Sequence, residues 1–546
     1  MRTIVVVFQF KDGRQKIVET SKGKRLVSLI NDEGIYLSVP CGGNGHCGQC
    51  KVRFYSGETP VTDSDRRYIT GEDLDAGYRL ACRVVLKEDC VIELPQESSS
   101  VGMSEDMSII MATDDKDSEK EDFDPEGIYG IGLDIGTTTL AASFVKLEDG
   151  QYRIISQSSC INHQRKYGGD VISRIQAAEE GKDKAMQNSI LTDIQNLFAD
   201  LIVKTGFGAS KVTERIKMVT IAGNTTMLHI LMGYPCKGLG KFPYQPHNLE
   251  LISSMACFVL PGVSVLKDHT KVTILPGISA FVGADIVSGM YALGFDDIPP
   301  GDYAFMLDLG TNGEMAVGNR NHILTAATAA GPVFEGGGIS RGIGSVSGAI
   351  CHVLIDHEKP VTETINNEKA VGICGTGVLE TVSELRRCRL INDTGLMRED
   401  IFEKGYNLGR DNFGKSIYFT QADVRQVQLA KAAIKAGIDT VISEFGSKKT
   451  QEFVDKISKV FIAGGFGYRL KRESLYPLKM LPEKFVDKMQ SVGNTSLLGT
   501  LKYMAAEQKE ADSGKESLEI IVRAADEVEL ALDNSFGGVY YDAINF

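Results

Sequence analysis

The feature that most constrains this chain is an internal repeat. IYGIGLDIGTTTLAASFVKL at 128–147 and YAFMLDLGTNGEMAVG at 303–318 share one plan. An apolar strand runs into Asp-x-Gly-Thr, turns tightly, and continues as a second apolar strand. The leading aspartates, Asp134 and Asp308, lie 174 residues apart. No helix follows directly on either turn and no GK[ST] is present, so neither a Rossmann crossover nor a P-loop is implied. Such a turn can still cradle phosphate, because successive N–H groups form a nest and threonine hydroxyls add donors. Two copies predict two related α/β lobes, about 127–300 and 301–546, facing one cleft, with the chain crossing back near its end. Helices are expected at 170–180, 185–204, 283–293, 376–388, 421–443 and 495–507.

A second unit precedes the repeat. PCGGNGHCGQC supplies Cys41, Cys47 and Cys50, and YRLACRVV supplies Cys82, a C-x5-C-x2-C-x31-C spacing. Four thiolates can hold two irons and two sulfides, two cysteines to each iron. Glycines at 42, 43, 45 and 48 let the loop wrap closely, since they lack Cβ and tolerate positive φ. Structural zinc more often takes two close pairs than three cysteines in a glycine loop and one far away. The pattern resembles the [2Fe–2S] ferredoxins of the plant and adrenal type. Its five-residue first gap is nearer the adrenal and bacterial hydroxylase branch. A β-grasp, ferredoxin-like domain over 1–95 is therefore expected: a strand pair, the short helix LVSLINDEG, the strand KVRFY and the closing strand CVIELP. Cys90 alternates with Ile92 and reads as a strand position. Cys160, Cys236, Cys257, Cys351, Cys374 and Cys388 read as packing.

Between the two, residues 96–126 are rich in Ser, Asp, Glu and Met, which predicts a flexible acidic linker. The chain of 546 residues has a formal charge of -13, which argues against broad nucleic-acid binding. No stretch offers 18 consecutive apolar residues, so no membrane span is expected. The start of the chain lacks a signal-peptide h-region, and most cysteines are unpaired by motif. A cytoplasmic location is expected.

A carboxylate beside phosphate would repel it. Asp134 and Asp308 are therefore read as catalytic, holding Mg²⁺ through water or orienting the attacking water. Gly136, Thr137, Thr138 and Thr139, with Gly310, Thr311, Asn312, Gly313 and Glu314, are the expected phosphate contacts. VFIAGGFGYRL ends an apolar strand in Gly464, Gly465 and Gly467, where the backbone could approach a flat ring closely. Gly375 and Thr376, in GICGTGVLE, start a helix and could meet phosphate or ribose. Asp170, after two glycines, could cap a helix or position the hydrolytic water.

DIGTTT, DLGTNGE and IAGGFG, in that order, resemble the actin, Hsp70 and sugar-kinase superfamily of ATPases, with its ribonuclease H-like fold. That resemblance implies ATP in the cleft. It makes ADIVSGMYAL at 284–293 and NTSLLGTLKYM at 494–504 the two connecting helices at the hinge.

An electron-transfer unit joined to an ATPase makes sense if ATP drives an electron uphill. A one-electron gap costs roughly 2.3 kcal/mol per 100 mV, and plant-type clusters sit around -400 mV. The whole arrangement resembles the ATP-dependent reductive activators of corrinoid proteins. The resemblance rests on CGGNGHCGQC, DIGTTT, NHQRKYGGDVISRI, GNTTMLH, DLGTNGE, AAGPVFEG, GICGTG, DVRQVQLAKAAIKAG, IAGGFG and VGNTSLLG. It implies one-electron reduction of an inactive Co(II) corrinoid protein to Co(I), reactivating a cobalamin-dependent methyltransferase system. The implied partners are that corrinoid protein and a low-potential electron donor. Residues 96–126 are too short for the extra dimerising domain of some relatives, so their dimer is not carried over. Rival readings are an activator of another low-potential enzyme, a small-molecule kinase with a redox sensor, and a non-catalytic nucleotide-gated redox module.

Overall fold

A computed structural model describes residues 3–10, 15–33, 35, 37, 48, 50–57, 59–94, 123–412, 414–446, 450–464, 471–509, 512–533 and 535–546. The chain divides into two compact units, 1–103 with 163–177, and 104–162 with 178–546.

The first unit is built on a five-stranded sheet ordered Gln15–Ser21, Thr3–Gln9, Cys90–Glu93, Lys51–Ser56, Tyr78–Leu80. The period-two pattern of TIVVVFQ sends Ile4, Val6 and Phe8 to the buried face. The helix Leu26–Asp32 buries Leu26, Leu29 and Ile30, which share a helical face, in the same core. Thr3–Gln9 runs parallel to Cys90–Glu93, and Lys51–Ser56 runs antiparallel to it. Cys90 is a buried strand residue.

Two six-stranded sheets form the second unit, and their shared core order makes the repeat explicit. One runs Ile252–Met255, Lys271–Ile274, Ile216–Gly223, Ile128–Ile135, Thr139–Glu148, Gln151–Ile161. The other runs Met489–Gly493, Ile457–Ala463, Tyr303–Leu309, Gly313–Asn319, His322–Thr328, Ala525–Glu527. In each, the strand bearing the leading aspartate opens an antiparallel meander and takes a parallel neighbour on its other side. Asp134 lies opposite Ala222 and Asp308 opposite Ala463 in those parallel pairs.

The helices Ala284–Ala292 and Thr495–Gln508 cross between the sheets. Ser288 Oγ donates to the Ser496 carbonyl at 2.6 Å. Glycines permit the close approach: a Cβ on Gly499 would run into the Ser288 carbonyl, and one on Gly289 would lie 2.8 Å from Thr495 Oγ1. Each helix buries its apolar face on the sheet of the other repeat. Leu497, Leu501 and Met504 cluster with Ala141, Val145 and Leu147, while Ile286, Val287 and Met290 cluster with Ala304, Met306 and Ala316.

The other expected helices form at Val171–Ala177, Asp183–Thr205, Gly375–Arg387 and Gln421–Gly446. The first ends at Ala177, short of the expected 180, where the chain widens into the π-helical turn Ala178–Lys182. Most of the expected acidic linker, its residues 96–122, lies outside the described residues. Its last residues differ from the expectation of a free tether. Phe123 stacks on Tyr129 with ring centroids 5.7 Å apart and meets the edge of Phe207. Asp124 pairs with Lys146 at 2.9 Å, and Glu126 with Arg215 at 3.0 Å. An aromatic at the end of an acidic run gains more by covering an apolar edge than by staying solvated.

Candidate functional site: two cysteine segments and a carboxylate cleft

In the first unit the described halves of the cysteine set are joined. Cys50 and Cys82 are 1% and 3% exposed, and the Ala81 N–H donates to the Cys50 carbonyl at 2.8 Å. Asp65, itself buried, fixes the strand leading to Cys82. Its carboxylate accepts from the Leu80 N–H at 2.7 Å and from the Thr62 N–H at 2.7 Å, closing a capping box on the helix Asp63–Tyr68. Gly48 takes φ 70°, and a Cβ there would strike the Tyr68 ring, so this loop position requires glycine. Cys41 and Cys47 lie outside the described residues. Two cysteines buried in one core, together with a loop position at Gly48 that requires glycine, suit an iron–sulfur cluster.

In the second unit the two repeated turns meet. Gly136 N–H bonds back to the Thr139 carbonyl, and Gly310 N–H to the Asn312 carbonyl, both at 3.0 Å. These bonds point Thr137, Thr138 and Thr311 out at the tips. The Oγ1 atoms of Thr138 and Thr311 stand 3.2 Å apart, so the turns of the two repeats touch. Thr139 begins its strand, and Gly313 and Glu314 begin theirs. Gly313 has no room for a side chain beside Ile434.

Behind the turns lies a group of carboxylates. Asp134 is held by Asn494 Nδ2 and Ser496 Oγ, each at 2.8 Å, from the start of the helix that crosses from the other repeat. Burial raises the Asp134 carboxyl above its usual range against those two hydrogen bonds. Asp285 sits in the first turn of the helix Ala284–Ala292, and burial followed by the Asp134 charge pushes it to about 7. Asp308 also rises to about 7, from burial first and then from the Asp285, Asp134 and Glu335 charges. Glu314, paired directly across the strands from Asp308, is raised by burial and by Asp285 and Asp308. Glu335 is raised by burial and held by the threonines. Carboxylates that resist ionising together form a site for a cation. Among the described residues no three His, Cys, Asp or Glu side chains converge closely enough to ligate a metal directly.

Gly464 closes the group from behind. It takes φ 94°, and a Cβ there would lie 2.8 Å from Asp308 Oδ1 and closer still to the Leu309 carbonyl oxygen. Gly465 and Gly467 lie outside the described residues. Gly375 and Thr376 are buried at the start of their helix, which packs on the strand Ala349–Asp356. Asp170 belongs to the first unit, is exposed, and its carboxylate accepts from the Ser173 N–H at 2.8 Å. This contact is the helix cap that the sequence offered as one of its two roles. Sequence reasoning missed Asp285, Glu335, Asn494 and Ser496. A signal existed for Asp285 and Asn494, since each stands at the start of an expected hinge helix.

A ferredoxin-type domain joined to a duplicated, actin-like fold with a carboxylate cleft defines the class of ATP-coupled electron-transfer proteins. Three family models match in succession: "2Fe-2S iron-sulfur cluster binding domain" over 9–87, "RACo middle region" over 129–298, and "C-terminal domain of RACo the ASKHA domain" over 302–546. The chain is 31% identical over 435 residues to "Corrinoid activation enzyme RamQ" of Eubacterium limosum, covering 76% of this chain and 69% of that protein. It is 25% identical over 447 residues to "[Co(II) methylated amine-specific corrinoid protein] reductase" of Methanosarcina barkeri, covering 77% of each. Among solved structures, "Reductive activator for corrinoid,iron-sulfur protein" aligns with all of this chain and 98% of its own at a TM-score of 0.68 and 25% identity. The chain belongs to this family of reductive activators of corrinoid proteins.

Proposed function

We propose that this protein reactivates a corrinoid protein by ATP-dependent one-electron reduction of Co(II) to Co(I), in the service of a cobalamin-dependent methyltransferase system. The observation that carries the reading is the union, in one chain matched end to end by a reductive activator, of a ferredoxin domain and a duplicated phosphate-turn fold. Cys41, Cys47, Cys50 and Cys82 would hold a [2Fe–2S] cluster, which supplies one-electron transfer when bound. The protein's own part in that unit is to bury the thiols, exclude side chains at Gly48 and fix the Cys82 segment through Asp65.

In the second unit, Thr137, Thr138, Thr139 and Thr311 donate hydroxyl and backbone hydrogen bonds to the phosphates of ATP. Asp134, Asp285 and Asp308 would hold Mg²⁺, which would supply neutralisation of the phosphate charge. The crossing helices carry Asn494, Ser496 and Asp285, so parting the two repeats to admit nucleotide moves both helix starts. Nucleotide occupancy is thereby coupled to the angle between the sheets. A low-potential reductant supplies the electron. Among the described residues no helix is long and apolar enough to cross a membrane.

Two variants test the division of labour. Cys47→Ser should abolish Co(I) formation and leave ATP binding intact. Asp308→Ala should retain the iron–sulfur absorbance and lose Mg-dependent hydrolysis and Co(I) formation together. If Asp308→Ala reduced Co(II) at the wild-type rate, ATP turnover at this site would not drive the reduction.

A further inference from the structure

Glu335 stands apart from the other carboxylates because it reaches donors on both turns. Its Oε2 accepts from Thr138 Oγ1 at 3.3 Å, and both of its oxygens lie 3.3 Å from Thr311 Oγ1. Thr138 belongs to the first repeat and Thr311 to the second. An anion whose oxygens draw hydroxyl donors from both turns at once presents the same chemistry as a nucleotide's terminal phosphate. We propose that Glu335 is a place-holder for that phosphate: in the nucleotide-free protein its carboxylate takes the Thr138 and Thr311 donors, and the third phosphate of ATP displaces it. The inference rests on the reading of this cleft as a nucleotide site.

Two facts support displacement over coexistence. Each hydroxyl has one proton to donate, so Thr138 and Thr311 cannot serve a carboxylate and a phosphate together. The carboxylate and a phosphate are both anions in a partly desolvated cleft, where their repulsion is little screened. Val333 and Phe334 anchor the turn that carries Glu335 in the core, so displacement moves the Glu335 side chain and not the turn. That turn is Pro332–Glu335, flanked by Gly331 at φ 76° and Gly336 at φ 81°. ADP, which lacks the third phosphate, leaves the bridge in place, whereas ATP breaks it. Glu335 is thus a positioning residue through which the contact between the two repeats senses the third phosphate.

The test is calorimetric titration of the full-length protein, with its cluster assembled anaerobically, using Mg-ADP and a Mg-bound non-hydrolysable ATP analogue. A charge-assisted hydrogen bond that must be surrendered sets the scale. Glu335→Gln should raise the preference for the triphosphate over ADP by about tenfold, with ADP affinity changed less than about twofold. Glu335→Ala should shift the preference in the same direction, which covers a Gln variant that does not fold. An unchanged or reduced preference in a folded variant overturns the inference. So does loss of hydrolysis at unchanged preference, which would make Glu335 a proton acceptor. A wild-type protein that bound neither nucleotide would instead overturn the nucleotide reading itself.

Discussion

Replacing Gly464 by alanine tests how the strand Ile457–Ala463 positions the Asp308 carboxylate. The residue takes φ 94°, where an L side chain costs about 1–2 kcal/mol. Its new methyl would lie 2.8 Å from Asp308 Oδ1 and nearer still to the Leu309 carbonyl oxygen. Ordinary carbon–oxygen contact begins at about 3.3 Å, so relief requires the strand end or the carboxylate to move by about 0.5–1 Å. The strand Ile457–Ala463 resists, since Ala463 is in register with Asp308 on one side and Gly493 on the other. The nearer clash is with backbone, so the strand end at Leu309 must shift and carry the adjacent Asp308 carboxylate with it. The expected destabilisation is about 2–4 kcal/mol in all, strain and overpacking together. A displacement of about 1 Å in a catalytic group costs on the order of 100-fold in rate. Urea denaturation followed by far-ultraviolet circular dichroism measures the first quantity, and steady-state phosphate release measures the second. The visible absorbance of the iron–sulfur unit should not change. An alanine variant with wild-type stability and wild-type ATP hydrolysis would refute the argument that Gly464 is shaped to Asp308.

Two other outcomes follow from the carboxylate group. Asp285 and Asp308 ionise near pH 7 in the fold and near 3.9 when unfolded. The folded state therefore binds more protons between those values, and stability falls as pH rises from about 4 through 7. Differential scanning calorimetry should show a nucleotide-free Tm several degrees lower at pH 8 than at pH 5, with Mg-ATP analogue removing the difference; a Tm that rises over that interval contradicts the assignment. Asn494→Ala removes both a donor to Asp134 and the cap of the helix Thr495–Gln508. It should cost about 1 kcal/mol from the lost cap alone and slow hydrolysis, and a phosphate-release rate equal to wild type would separate the cap from the site.

The fold was legible where chemistry is written in contiguous residues. Asp-x-Gly-Thr between two apolar runs announced each meander, and its duplication announced the second sheet. The Cys47–Cys50 spacing with a remote Cys82 announced the ferredoxin unit. What stayed hidden was convergence across the repeats. Glu335 lies in a short turn with no periodicity, and only the folded chain brings it to Thr138 and Thr311. Asn494 and Ser496 read as an ordinary helix start, and their bond to Asp134 exists because the helix crosses to the other sheet. Asp170 shows the opposite case. Its local sequence, two glycines before a helix, is a sufficient cause for an aspartate, and its bond to the Ser173 N–H is the one that this local pattern predicts. Phe123 closed an acidic run whose composition predicts solvation, yet a single aromatic side chain beside Tyr129 and Phe207 outweighs that composition locally.

The central claim is that ATP turnover in this chain drives an electron onto cobalt. Mixing the reduced protein anaerobically with a Co(II) corrinoid protein and following the Co(I) absorption band tests it most directly. With Mg-ATP the band should grow in step with phosphate release, and with Mg-ADP or no nucleotide it should stay near baseline. Equal growth under all three conditions would contradict the account.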